Sequence, residues 1–109
     1  MQKIDILGTE YEITESTSQD DQGLQNADGY CAHVAKRIVI EEKIFNHCPD
    51  HDIDEQRAVR RRHVLRHELI HAFLEESGLS EYSRNELIVD WIALQFPKML
   101  KAFNEVNAL

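Results

Sequence analysis

Residues 53–77 contain neither glycine nor proline, and they are framed by a helix start and a helix stop. Asp52-Ile53-Asp54-Glu55 fits a capping box, with Asp52 as N-cap and Glu55 three residues later. Asp54 and Glu55 also suit the positive end of a helix dipole. Gly78 supplies the left-handed residue that ends such a helix. A long helix over residues 53–77 is therefore the expected centre of the fold. A chain of 109 residues has room for one core, so residues 1–109 read as a single domain built around that helix.

The first half of the chain has strand periodicity. Residues 3–7 and 11–14 are short β-rich stretches with Gly8-Thr9 between them, which predicts a hairpin. Residues 15–29 are almost wholly polar and predict a long mobile loop that adds nothing to the core. In residues 29–41, Tyr30, Ala32 and Val34 share one face, and Ile38-Val39-Ile40 forms a second apolar run beyond an Ala35-Lys36 turn. After Gly78, Ser80 can start a second helix, with Glu81 in its first turn and Leu87, Ile88, Trp91, Ile92 and Leu94 as a broad apolar stripe. Pro97 should interrupt it, leaving residues 98–106 as a kinked continuation or a separate last helix. The expected fold class is α+β: a small, mostly antiparallel sheet of three or four strands packed against two or three helices.

Composition narrows the function. A net charge of −8 argues against a nucleic-acid binder, which needs a basic face. No apolar run is long enough to cross a bilayer, and the opening Met1-Gln2-Lys3-Ile4-Asp5 does not look like a signal peptide, so a cytoplasmic location is expected. Two cysteines, Cys31 and Cys48, are too few for a disulfide-stapled fold and read as one buried and one surface thiol.

The chemistry sits inside the long helix. His67-Glu68-Leu69-Ile70-His71 is an H-E-x-x-H pattern. Two histidines four apart on a helix stand on one face, about 6 Å apart along the axis, and both rings can reach one ion. Glu68 is turned by about 100° from His67, where it can take a proton from a water at the ion without ligating the ion itself. With six His and twelve Glu, a shuffled chain shows this pattern in roughly three cases per hundred. Its surroundings raise its weight: Val64, Leu65, Leu69, Ile70, Phe73 and Leu74 make this the most apolar part of the helix, and a buried imidazole needs a partner.

A catalytic zinc usually takes a third protein ligand. No histidine follows His71, which leaves Glu75, Glu76, Glu81, Glu86 and Asp90 downstream. Glu75 and Glu76 lie on the His71 helix and are poorly placed to complete a tetrahedron. From His71 to Gly78 is about 10 Å of helix, and from Ser80 to Glu86 is about 9 Å back along an antiparallel partner. A helical hairpin closed at Gly78 therefore sets Glu86 level with His71. Asp90, one turn later on the same face, can accept the second ring N–H of a ligating histidine. The bland alternative for Glu86 and Asp90 is a solvated acidic stripe.

His67-Glu68-x-x-His71 followed by Asn85-Glu86-x-x-x-Asp90 resembles the gluzincin arrangement of zinc metallopeptidases. Strands before a zinc helix and a ligand helix closely after it make the chain, over residues 29–100, similar to small bacterial and phage proteins of the ImmA/IrrE-like metallopeptidase family. The resemblance implies a zincin-like fold with one Zn2+ held by His67, His71 and Glu86. It also implies an Asp90 that supports a histidine, and a protein or peptide substrate such as a regulator or repressor.

Other residues keep open readings. His63, His67 and His71 form one stripe of about 12 Å, too long to converge on one ion, so His63 is expected as a supporting, capping or surface residue. Tyr82, Tyr30, His33 and Arg84 are the candidates for stabilising an oxyanion, and residues 30–34 are the stretch where a substrate backbone would lie against an edge strand. Arg57, Arg60, Arg61, Arg62 and Arg66 read either as a phosphate contact or as a solvated helix face that balances nearby acids. His47-Cys48-Pro49-Asp50-His51 matches no tetrahedral spacing well. The main alternative to a zinc endopeptidase is a non-catalytic zinc protein, structural or regulatory, in which Cys31, Cys48 or His33 closes the site as a fourth ligand.

Overall fold

The computed structural model describes residues 1–44 and 53–109. The expected N-cap Asp52 and the segment around Cys48 lie outside the described residues. The elements are β1 (Gln2–Ile6), β2 (Thr9–Ser16), a 3-10 turn (Gln22–Leu24), β3 (Gly29–Ala32), β4 (Arg37–Glu41), α1 (Ile53–Glu76), α2 (Ser80–Ser83) and α3 (Glu86–Glu105). A four-stranded sheet in the order β1-β2-β4-β3 packs against the helices, an α+β arrangement.

Two hairpins make up the sheet. β1 and β2 pair antiparallel, as do β3 and β4. The first turn is Leu7-Gly8, one residue earlier than the sequence implies; both residues have positive φ, and Thr9 pairs with Ile6. Positive φ at both central residues matches the right-handed twist of the strands that such a turn joins. The hairpins meet along β2 and β4, which run parallel. The sheet is thus mixed, with a parallel seam at its centre.

The segment after β2 departs from the expected loop. It passes over the end of β4, where the Glu41 N–H donates to Asp28 C=O and the Glu42 N–H to Ser16 C=O, each at 2.8 Å. Asp21 Oδ1 accepts from the Gly23 N–H at 2.9 Å, and Asp21 Oδ2 accepts from the Tyr30 hydroxyl at 2.6 Å. Leu24 is only 3% exposed. One apolar anchor and a few acidic side chains that satisfy nearby donors are enough to order a polar stretch here.

Period two governs the buried face. Ile4 and Ile6, Tyr11 and Ile13, Cys31, and Ile38 and Ile40 meet Val64, Leu65, Leu69 and Ala72 of α1. Val34 lies in the turn after β3 and is exposed, contrary to its expected place beside Tyr30 and Ala32. β3 lies close against α1 at Gly29, where a Cβ would stand 2.7 Å from Val64 Cγ1. Only glycine permits that approach, and it is what sets the edge strand beside the histidine face of α1. The other end of α1 is tied to β2, since Glu76 accepts from the Tyr11 hydroxyl at 2.7 Å and from the Thr9 hydroxyl at 3.1 Å.

α1 ends as expected. Gly78 has φ +77°, the Leu79 N–H donates to Leu74 C=O at 2.9 Å, and the Gly78 N–H donates to Glu75 C=O at 3.1 Å. The second helix differs from expectation in three ways. It is split, because α2 is a single turn and Asn85 recaps the chain, its side chain accepting from the Ile88 N–H at 3.2 Å. Its apolar stripe does not form the core: Val89 and Ala93 are buried, while Leu87, Trp91 and Leu94 are exposed, Leu87 by 81%. α3 packs chiefly on α1, so one narrow face of it is covered.

The third difference is at Pro97, which does not interrupt α3: the chain takes the continuation rather than the separate last helix and runs on to Glu105. Proline there removes the donor to the carbonyl four residues back, that of Ala93. Arg66 Nε donates to this Ala93 oxygen at 2.8 Å, so the freed acceptor is satisfied from α1. Arg66→Ala is expected to cost about 1–3 kcal/mol, the penalty for a buried acceptor left without a donor. The loss should shrink in a Pro97→Ala background, where the helix regains its own N–H. Urea melts of the four chains measure this, and equal losses in both backgrounds would disprove the compensation.

Candidate metal centre

α1 sets His63, His67 and His71 along one stripe, and α3 begins opposite them at Glu86. His67 Nε2 lies 2.9 Å from Glu86 Oε2, and His71 Nε2 lies 3.1 Å from Glu86 Oε1. The two Nε2 atoms are 3.2 Å apart. Ligand bonds of about 2.0–2.1 Å in a tetrahedron put donors roughly 3.3 Å from one another. The three side chains therefore converge as a shared ion requires, and together they form a two-nitrogen, one-oxygen donor set. That set suits zinc and other borderline divalent cations.

The opposite ring nitrogens are also held. His67 Nδ1 is 3.3 Å from Asp90 Oδ1, and His71 Nδ1 is 3.1 Å from Ser83 Oγ. With an ion at the common point each Nε2 would face it, and each Nδ1 would then carry the proton and donate it, which would fix tautomer and ring orientation. The sequence pairs Asp90 with a histidine but gives no sign of Ser83. Ser83 is buried, on the single turn of α2 that precedes the cap of α3. A serine in a short polar stretch carries no signal of its own.

His63 Nε2 lies 3.0 Å from Asp90 Oδ1, so one carboxylate oxygen meets two imidazoles. The hydrogen bond from His63 holds the Asp90 carboxyl below the usual range. Burial lowers the basicity of His71, in part offset by Glu86, and so favours the neutral imidazole that a metal needs.

Glu68 belongs to neither convergent group. It is 7% exposed, and burial raises its carboxyl to about 7, with His67 opposing the shift and Glu86 adding to it. It lines a cleft whose walls are α1, the start of α3 and the edge strand β3. Cys31 also lines that cleft; burial, reinforced by Glu68, pushes its thiol up to about 12, so it stays protonated. Among the described residues, no cysteine joins either group of candidate ligands.

The oxyanion candidates separate by position. Tyr30, His33 and Arg84 line the cleft, with the Tyr30 hydroxyl given to Asp21 and His33 Nε2 at 3.7 Å from Glu75 Oε2. Tyr82 is exposed and is not part of the lining. In the arginine cluster, Arg57 donates to Ile44 C=O, Arg60 meets Asp28, Arg61 meets Glu15 and Arg66 serves Ala93. These four tie α1 to the rest of the fold. No helix among the described residues is long and apolar enough to cross a membrane.

Compared with protein-family models, with curated proteins and with solved structures, the chain finds no match in any of the three.

Proposed function

We propose that this chain is a zinc-dependent endopeptidase of the zincin type, similar to the ImmA/IrrE-like group. The observation that carries the reading is the meeting of His67, His71 and Glu86 at one point beside a buried carboxylate, Glu68, in a cleft bordered by an edge strand. His67 and His71 would hold the ion through Nε2, and Glu86 through its carboxylate. A zinc ion bound there lowers the pKa of water and polarises a substrate carbonyl.

The remaining roles fall to the chain itself. Asp90 and Ser83 keep the two rings aimed by accepting their Nδ1 protons. Glu68 takes a proton from the attacking water and passes it to the leaving amine, a role helped by its burial beside the three converging side chains. A peptide lying along β3 would meet unpaired backbone groups of the strand and present its carbonyls toward Glu68. The substrate class is a protein segment in extended form, such as part of a regulator or repressor.

Glu68→Gln is the direct test. The variant should retain its zinc and cleave a peptide library on the order of a hundredfold or more slowly than the parent, the usual loss when a general base is removed. Equal rates at equal zinc content would overturn the assignment and favour a non-catalytic zinc module, in which a carboxylate at position 68 has no task.

A further inference from the structure

We infer that the chain carries a second divalent-cation site on the far side of the His67 ring, built from His63 Nε2, Asp90 Oδ1 and His67 Nδ1. The inference rests in part on the reading above, because His67 serves both sites. Asp90 Oδ1 is 3.0 Å from His63 Nε2 and 3.3 Å from His67 Nδ1, and the three donor atoms form a convergent group of the same chemical kind as the first. Both histidine side chains are largely buried, at 14% and 17% exposure, while Asp90 faces solvent. Two preset imidazoles and one accessible carboxylate give an ion a rigid seat with an entry path.

The seat borders the catalytic cleft, which His63, His67 and Asp90 also line, and it opens on a second side. His63 and Asp90 also line a second groove between α1 and α3, together with Glu55, Val59, Arg60 and Leu94. The charges facing this groove are mixed. Arg60 is neutralised by Asp28 at 3.1 Å, and Arg66 is committed to the Ala93 carbonyl. Glu55 and Asp90 are the anions on its wall.

The shared ring couples the two sites. An ion on His67 Nε2 leaves the Nδ1 proton in place, donated to Asp90. A cation seated on His63 Nε2 and His67 Nδ1 would displace the protons those nitrogens share with Asp90, the His63 proton moving to its own Nδ1 and the His67 proton passing to solvent. The second site is therefore the weaker one, and it fills only when the divalent metal is in excess. Its occupation removes the hydrogen bond that aims His67, so excess metal should depress cleavage.

Equilibrium dialysis of the whole chain against Zn2+, with metal counted in the recovered protein, tests this. The parent should take up two equivalents, one tight and one weak. His63→Ala should abolish the weak equivalent and keep the tight one. Asp90→Asn, at an exposed position, should also abolish the weak equivalent, and circular dichroism verifies that both variants fold. A parent that saturates at one equivalent overturns the inference, and so does a weak equivalent that persists in both variants. A single equivalent whose affinity falls in His63→Ala also overturns it, reducing His63 to a prop for Asp90. Failure of the first site looks different: Glu86→Ala and His71→Ala would then leave the tight equivalent unchanged.

Discussion

At pH 8 and without metal, Glu68→Gln should be more stable than the parent by up to about 3 kcal/mol. Burial raises the Glu68 carboxyl from its ordinary 4.5 to about 7 in the folded chain. A folded-state value above the unfolded one means that the native state binds the proton more tightly. The associated stability is complete below the unfolded value and is lost as pH rises through 7. Each tenfold gain in proton affinity corresponds to about 1.4 kcal/mol, and the side chain is only 7% exposed, so little of this is screened. At pH 5 the same comparison should shrink to about 1 kcal/mol or less, because the parent carboxyl is then protonated in the fold. In thermal melts with a chelator present, the gap at pH 8 amounts to roughly 10–20 °C for a chain of this size. A gap that is the same at both pH values would show that Glu68 does not ionise in a desolvated setting.

Zinc should move stability by a similar amount. A ligand that binds only the native state adds about 2.7 kcal/mol at a hundred times its dissociation constant. For this chain that corresponds to a rise in melting temperature on the order of 10 °C or more. The unfolded chain cannot bring His67, His71 and Glu86 together, so the effect depends on the hairpin of α1 and α3. His71→Ala should remove most of the rise, since it deletes one of two nitrogens and leaves Ser83 without its donor. The measurement is a thermal scan with saturating zinc against one with chelator, for parent and variant. An undiminished rise in His71→Ala would place the stabilising ion elsewhere.

These expectations draw on features that differ in how openly the sequence displays them. His67 and His71 are four residues apart, so helix geometry alone puts their rings side by side. Gly78 closes α1 through local backbone bonds, and that closure turns the chain so that Glu86 comes level with the pair. The level of Glu86 survives the split of the second helix, because α2 supplies the missing rise before Asn85 restarts the chain. Asp90 follows from Glu86 by one further turn.

Contacts distant in sequence were not legible in the same way. Alternation along β2 and β4 fits a parallel partner as well as an antiparallel one, and no turn signal fixes which strand β4 meets. Leu24 is a single apolar residue in a polar stretch, below any periodic signal, yet it is buried. Periodicity in α3 gives the direction of an apolar face but not what covers it, and Leu87, Trp91 and Leu94 remain exposed. The pairing of Pro97 with Arg66 through the Ala93 carbonyl spans two helices and has no sequence signature.

Crystals of the protein grown with a slight molar deficit of zinc and measured at the zinc absorption edge put the centre to its sharpest trial. The anomalous map should hold one dominant peak about 2.0–2.1 Å from His67 Nε2, His71 Nε2 and a Glu86 oxygen, with Glu68 beside it and not bonded to it. A dominant peak bonded to a cysteine sulfur, or one away from those three side chains, would contradict the proposed centre and the hydrolysis built on it.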